Sequence, residues 1–294
     1  MNFFQAIFLG LVQALTEYLP VSSSAHIRII GDLMLGSDPG AAFTAIIQIG
    51  TELAVILYFR HDIIRILGAW FGSLFGKEGK DFKSRMGAHN PDTQMGWFII
   101  LGTMPILIAG LLFKHALEGS LRNLWITVTV LALFGVLLWV VDARSKQVKT
   151  MKEMTWKDAV IFGIGQMLAL IPGVSRSGAT ITFGHAMGYT REAAVRVSFL
   201  MAIPAVFGAG ILEAVSAVKD VAAGDAGMFP GWGPTIAAAI VAFVVGYVVI
   251  IGFLKFVSTF SYKAFAIYRI GLAIVVALLL ITGVLSPLEA AAAA

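Results

Sequence analysis

Cysteine is missing from all 294 residues, which removes disulfides, thiolate nucleophiles and sulfur-held metals from consideration. Charge is scarce: Asp, Glu, Lys and Arg make up 13% of the chain against 59% hydrophobic residues, and the mean hydropathy is +0.88. No polar stretch is long enough to fold as a soluble domain of its own, so the composition indicates a polytopic membrane protein whose first partner is the lipid bilayer. The net charge of +4 would suit nucleic acid, but the basic residues collect in two short loops between apolar runs. Membrane topology explains that pattern, and no nucleic-acid partner is expected. Met1 to Gly10 contains neither Lys nor Arg, so this segment is expected to stay as structure rather than act as a signal peptide. Residues 288–294, LEAAAAA, read as an appended tail and are set aside.

What the chain does have is one polar stretch in apolar surroundings, Gly163 to Thr180, GIGQMLALIPGVSRSGAT. An arginine at bilayer depth costs roughly 2.5 to 3.5 kcal/mol even on a lenient insertion scale, and such residues as a rule face a cavity. Pro172 lacks an N–H and breaks the preceding helix, while Gly173 and Gly178 admit backbone angles that other residues avoid. Arg176 is therefore expected on a loop at membrane depth. Freed N–H groups, the hydroxyls of Ser175, Ser177 and Thr180, and the guanidinium fork would there form a donor-rich concavity suited to phosphate oxygens. The plainer reading is a polar contact between helices or an arginine snorkelling to the surface.

Residues 2–30 are apolar but broken at Pro20, and as helix they would reach about 44 Å where two crossings need about 60 Å. The economical solution is a re-entrant helix-loop-helix with its polar turn at Val21 to His26. Spans are expected at 41–59, 95–113 and 122–141, with a charged loop from Arg60 to Gln94 and a basic linker over 142–157. From Asp158 the pattern restarts: a Pro-broken hairpin over 158–188, then spans at 192–214, 232–254 and 264–283. Gly10 and Gly163, Gln13 and Gln166, Ser22 and Ser175, and Ser24 and Ser177 all differ by 153 positions, with Pro20 and Pro172 one residue out of step. The chain thus reads as an all-α polytopic membrane protein of two repeats, 1–141 and 158–287, each with three transmembrane helices and one re-entrant hairpin. An odd number of crossings per repeat turns the second upside down, an inverted-topology repeat. If both basic loops, Arg191, Lys255 and Lys263 lie in the cytoplasm, then Asp32, Asp38, Lys114, Glu118, Lys219, Asp220, Asp225 and both termini lie outside. The two polar tips then meet near the midplane.

The first tip carries Gln13, Glu17, Ser22, Ser23, Ser24 and His26, and Gln13 and Glu17, four apart, share a helix face. Arg176 can serve the equatorial phosphate oxygens, Ser175, Ser177 and Thr180 are oriented donors, Ser23 is a candidate nucleophile, and His26 and Glu17 are acid, base or metal-binding groups. Together the set meets the needs of phosphoryl transfer. Each has a plainer alternative: Glu17 as a structural partner of Arg176, His26 as a hydrogen-bonded core histidine, the serines as helix caps after Pro20.

These residues resemble two motifs of the bacterial undecaprenyl-diphosphate phosphatase family, integral membrane phosphatases of the bacitracin-resistance type. One is Glu/Gln-x-x-x-Glu followed by Pro-Val-Ser-Ser, here Gln13, Glu17, Pro20, Val21, Ser22 and Ser23, with His26 just beyond. The other is Pro-Gly-x-Ser-Arg-Ser, here Pro172, Gly173, Ser175, Arg176 and Ser177, with Thr180 close behind. The resemblance covers nearly the whole chain. It implies hydrolysis of an isoprenoid diphosphate lipid to the monophosphate, recycling the carrier lipid of cell-wall peptidoglycan synthesis in the bacterial inner membrane. It also implies a site open to the periplasmic side and a divalent cation, Mg2+ or Ca2+, with Glu17 the candidate ligand. Gln13 stands where many members carry Glu, which removes a carboxylate that could bind metal. Glu52, inside the first span, belongs to neither motif and is read as a polar contact or a helix-packing residue. A homodimer is compatible with the sequence. The second reading is a lipid-phosphate flippase or anion secondary transporter, since broken helices meeting at the midplane also hold transported anions. Against it stand the clustered nucleophile, base and acid, and the lack of a coupling-ion path beyond Glu52 and Glu213.

Overall fold

The computed structural model describes residues 1–113, 116–117, 120–222 and 229–288. Their regular structure is helical, which suits an apolar chain in lipid because a helix satisfies its backbone N–H and C=O groups within one segment. In chain order the helices are α1 (Phe3–Glu17), α2 (Ser23–Leu35), α3 (Ala41–Tyr58), α4 (Arg60–Leu74), the single turn α5 (Phe82–Arg85), α6 (Pro91–Leu112) and α7 (Leu124–Arg144). They continue as α8 (Trp156–Leu168), α9 (Arg176–Ala186), α10 (Arg191–Ala222), α11 (Trp232–Val257) and α12 (Lys263–Ile281). Among the described residues, five helices are long and apolar enough to cross a bilayer: α6, α7, the Arg191–Ser216 part of α10, α11 and α12. The bent pair of α3 and α4 makes a sixth if counted as one span. Leu133, Ile240, Val248 and Ile274 stand exposed on these helices, an outward apolar surface that water would penalise and lipid accepts.

Between the spans sit two hairpins that cannot cross. Their helices have 15, 13, 13 and 11 residues (α1, α2, α8 and α9), and at 1.5 Å per residue none covers the ~30 Å hydrocarbon core. Each hairpin turns inside the protein, ending on a buried serine with left-handed backbone, φ 73° at Ser22 and 69° at Ser175. Non-glycine residues adopt that conformation only where the surroundings impose it. Here it occurs at matching places, immediately before α2 and before α9.

The helices pack crosswise: α1 lies along α11, α8 along α6, α3 against both α11 and α10, and α7 against α12. Glycines make the two hairpin contacts close. A Cβ on Gly10 would fall 2.5 Å from the Ala238 carbonyl oxygen, and one on Gly163 would fall 2.5 Å from that of Gly102. Small residues at such crossings let backbones approach where lipid supplies little drive for association.

The stretch Arg60 to Gln94 departs from the expected charged loop, because it contains α4, which leaves α3 with a 77° bend. Ile63, Ile66, Leu67 and Trp70 recur at helical spacing and line an apolar cavity against α6 and α10, while Ile64, Phe71 and Phe75 are exposed. Charge is confined to the first turns of α4 and the segment beyond it, so apolar periodicity rather than charge count decides the local structure. The helix α10 runs on to Ala222, past the expected span end at 214. Lys114, Glu118 and Asp225, expected in outer loops, lie outside the described residues.

Candidate active site

The two buried turns bring their polar residues together around Glu17. Its Oε2 accepts from Gln13 Nε2 at 2.9 Å and from Ser23 Oγ at 2.6 Å. Its Oε1 accepts from Arg176 Nη2 at 2.9 Å and from Gln48 Nε2 at 3.4 Å. Gln13 reaches Glu17 from one turn earlier on α1, Ser23 is the first residue of α2, and Arg176 is the first residue of α9. The Glu17 and Arg176 side chains are 3% and 10% exposed, so their ion pair is nearly dry. Arg176 Nε and Nη1 are buried without a protein partner. A buried donor left unmade costs about 1–3 kcal/mol, more when charged. On a guanidinium held by the carboxylate that also accepts from Ser23, these two nitrogens offer donors to anionic oxygens.

The other predicted residues gather at the same turns with partners of their own. Ser22 and Ser24 pair Oγ to Oγ at 3.2 Å, and Ser175 and Ser177 do so at 3.3 Å. Ser175 Oγ also accepts from the Gly178 N–H, capping α9, and Ser177 Oγ lies 3.3 and 3.1 Å from the Glu17 and Leu19 carbonyl oxygens, joining one tip to the other. Thr180 Oγ1 lies by the Arg176 and Ser177 carbonyls and meets Ser198 Oγ. Gly173 has φ 96°, and a Cβ there would fall 2.7 Å from the Thr127 carbonyl oxygen, so the second turn passes α7 only as glycine. His26 stands apart from the carboxylate: its Nδ1 donates to the Ser22 carbonyl at 2.7 Å, and its Nε2 lies 2.6 Å from the Tyr268 hydroxyl, with the rings stacked. In the neutral imidazole Nε2 then accepts from Tyr268. A cavity of about 200 Å³ lined by Ser24, Arg28, Asp38, Arg122, Thr127 and Pro172 adjoins both turns.

Further residues of the site come from spans, where no motif marks them. The fully buried Arg269 of α12 donates Nη1 to Pro20 O at 3.2 Å and Nη2 to Gly173 O at 2.9 Å and Val174 O at 3.0 Å. Pro20 and Gly173 are 153 apart, so one guanidinium holds both turns at equivalent carbonyls. Glu52 of α3 is fully buried, its Oε2 is 3.9 Å from Arg176 Nη2, and neither of its oxygens has a hydrogen-bond partner. The available signal for both was a lone charge inside an apolar span.

The implied divalent cation can be weighed against this donor set. Among the described residues no three His, Asp or Glu side chains gather as a metal cage, and both Glu17 oxygens already accept hydrogen bonds. Magnesium is commonly bound through one or two carboxylates, with substrate phosphates and water completing its shell. The two carboxylates beside Arg176, those of Glu17 and Glu52, fit a cation of that kind.

Fold and site together define a polytopic membrane protein with a serine–carboxylate–guanidinium cluster around a buried glutamate where two broken helices meet. The chain belongs to the family described as bacitracin resistance protein BacA, whose model matches residues 6–275. It is 92% identical over 294 residues to a protein of Bifidobacterium adolescentis, covering 100% of both chains, and 78% identical over 289 residues to one of Bifidobacterium animalis subsp. lactis, covering 98% and 97%. A protein of Pseudarthrobacter chlorophenolicus is 52% identical over 288 residues, 97% of this chain and 100% of its own. Each of these relatives is named undecaprenyl-diphosphatase.

Proposed function

We propose that the chain hydrolyses undecaprenyl diphosphate to undecaprenyl phosphate and inorganic phosphate, returning the carrier lipid to cell-wall synthesis. The observation that carries this reading is the contact series from Ser23 Oγ to the Glu17 carboxylate to Arg176: nucleophile, base and phosphate-binding cation within hydrogen-bond reach. Arg176 holds oxygens of the terminal phosphate through Nε and Nη1. Ser23 Oγ attacks phosphorus as its proton passes to Glu17, the bond from phosphorus to the bridging oxygen breaks, and undecaprenyl phosphate leaves. Water then attacks the phosphoserine. The serine oxygen departs with the proton held on Glu17, and inorganic phosphate carries away the water oxygen and its protons. His26, engaged by Ser22 and Tyr268, positions the start of α2 in this scheme. A bound divalent cation supplies charge to offset the phosphate oxygens.

The transport reading is not favoured, because a diphosphatase name attaches to relatives covering the full chain and a transporter needs no nucleophile at the site. The finer topology belongs to the same proposal: inner membrane, inverted repeats, basic loops in the cytoplasm and the site open to the periplasm. Crosswise packing, the matched left-handed serines and the Arg269 bridge support the repeat, and charge placement supports the orientation. A homodimer stays a proposal, checked by the mass of the detergent-solubilised particle. The activity itself is tested with detergent-purified protein and a long-chain isoprenyl diphosphate, where transport is impossible. Inorganic phosphate and isoprenyl monophosphate are expected in equal amounts, and no release at any cation concentration sinks the reading.

A further inference from the structure

Glu52 is the buried group that the reaction above leaves without a task. It sits on α3 one turn after Gln48, which reaches Glu17, and its Oε2 faces the same Arg176 nitrogen that Glu17 holds. Both its oxygens are orphaned inside the protein, as are two nitrogens of Arg176. A helix-packing residue gains nothing from a carboxylate there, since burying one without hydrogen bonds is expensive even beside a guanidinium. Glu52 Oε2 lies 3.9 Å from Nη2 of the guanidinium whose Nε and Nη1 are orphaned, so a ligand completing both residues brings oxygens for Arg176 and a positive group for Glu52.

The charge balance of the site points the same way. Two carboxylates, Glu17 and Glu52, stand against two guanidiniums, and one of these, Arg269, faces backbone carbonyls. A pocket close to neutral has to receive a group carrying several negative charges, which in low dielectric requires a cation to accompany it. One helical turn before Glu17 on α1, position 13 faces the same carboxylate but carries an amide, which Gln13 gives to Glu17.

We propose that Glu52 is the second carboxylate of the diphosphate site, holding with Glu17 the divalent cation that accompanies the substrate. It thereby supplies from α3 the second carboxylate that position 13, an amide in this chain, does not. The inference rests on the diphosphatase reading and adds to it a residue outside both motifs.

The test uses the full chain in detergent with methylenediphosphonate, which cannot be hydrolysed, and follows the unfolding temperature as Mg2+ is added. Wild type is stabilised with a defined Mg2+ midpoint. In Glu52→Gln the midpoint rises about 10-fold or more, as loss of a group supporting a metal typically costs. Adding Gln13→Glu to that variant returns the carboxylate from the other side and brings the midpoint back to within about 3-fold of wild type. A Glu52→Gln midpoint within about 2-fold of wild type overturns the proposal, as does a double variant no better than the single one. If Glu52→Gln does not survive purification, Glu52→Asp serves, since it keeps the charge but withdraws it by one methylene; an unchanged midpoint there is equally fatal. The measurement needs no turnover. A chain that binds Mg2+ in this way but releases no phosphate from isoprenyl diphosphate would end the functional reading and leave the cation site standing.

Discussion

At Arg176 the account depends on a fork rather than a charge. One arm of the guanidinium is held by Glu17 at 2.9 Å, leaving Nε and Nη1 for phosphate oxygens in fixed geometry. A lysine keeps the charge and loses the fork. Arg176→Lys is therefore expected to lower turnover by about 10²-fold or more, the usual scale for removing an oriented donor from a developing anion. Turnover near wild type would make Arg176 structural. The cluster of Gln13, Glu17, Ser23 and Arg176 was legible in the sequence because each residue lies in a short motif at a helix break, so its neighbours announce it. Gln48, Glu52, Tyr268 and Arg269 come from spans more than 20 positions away, where a single polar residue carries no spacing to read. The His26 ring nitrogens likewise find their partners through the fold: one meets the backbone of its own turn, the other a hydroxyl on α12.

The hairpins are the elements on which the site is built, and they are fixed by close contact and by Arg269. Gly10→Ala and Gly163→Ala each push a methyl onto a carbonyl oxygen of a neighbouring helix, at a cost of about 1–3 kcal/mol from overpacking. Similar losses in both, measured as unfolding temperature, are expected of equivalent contacts. Gly68→Ala on α4 meets nothing and is neutral or slightly stabilising. Arg269→Met strips a donor from Pro20, Gly173 and Val174 at once and should cost about 3 kcal/mol or more. It should also reduce activity without touching substrate, because it releases both tips. At the far end of the second hairpin, burial alone would raise the Asp158 carboxyl. Hydrogen bonds from Tyr189 and Thr155 and the charge of Lys149 outweigh it, however, and hold it below its ordinary value of 3.8. A folded value below the unfolded one gives stability that is full above the ordinary value and lost as pH falls through the depressed one. Asp158→Asn should lose that part of the acid dependence of the unfolding temperature. Proline breaks and short lengths made both hairpins readable in advance. The helix α4 was not, because charges crowd its first turns and overlap the apolar spacing of Ile63, Ile66 and Trp70.

For the whole molecule, the absence of cysteine lets topology be read without background. Lys80, Lys146 and Ser258 are exposed, as is Ser286 beyond α12. Single cysteines at positions 80, 146 and 258 are expected to label from the cytoplasmic side, and one at 286 from the periplasmic side. Labelling of 146 and 286 from the same side would break the inverted arrangement. The offset of 153 is visible in the sequence, yet what it relates, two serines with left-handed backbone and two carbonyls on one arginine, comes only from packing. The central claim is that this packing turns Ser23 into a nucleophile by setting it 2.6 Å from Glu17, which also holds Arg176. Turnover of Ser23→Ala on isoprenyl diphosphate tests it most directly. Loss of the nucleophile predicts a rate lower by about 10³-fold or more. Loss of a single hydrogen bond costs only about 0.5–1.5 kcal/mol, up to ~3 with a charged partner. An alanine variant that keeps about a tenth of wild-type turnover fits that smaller loss and contradicts the account.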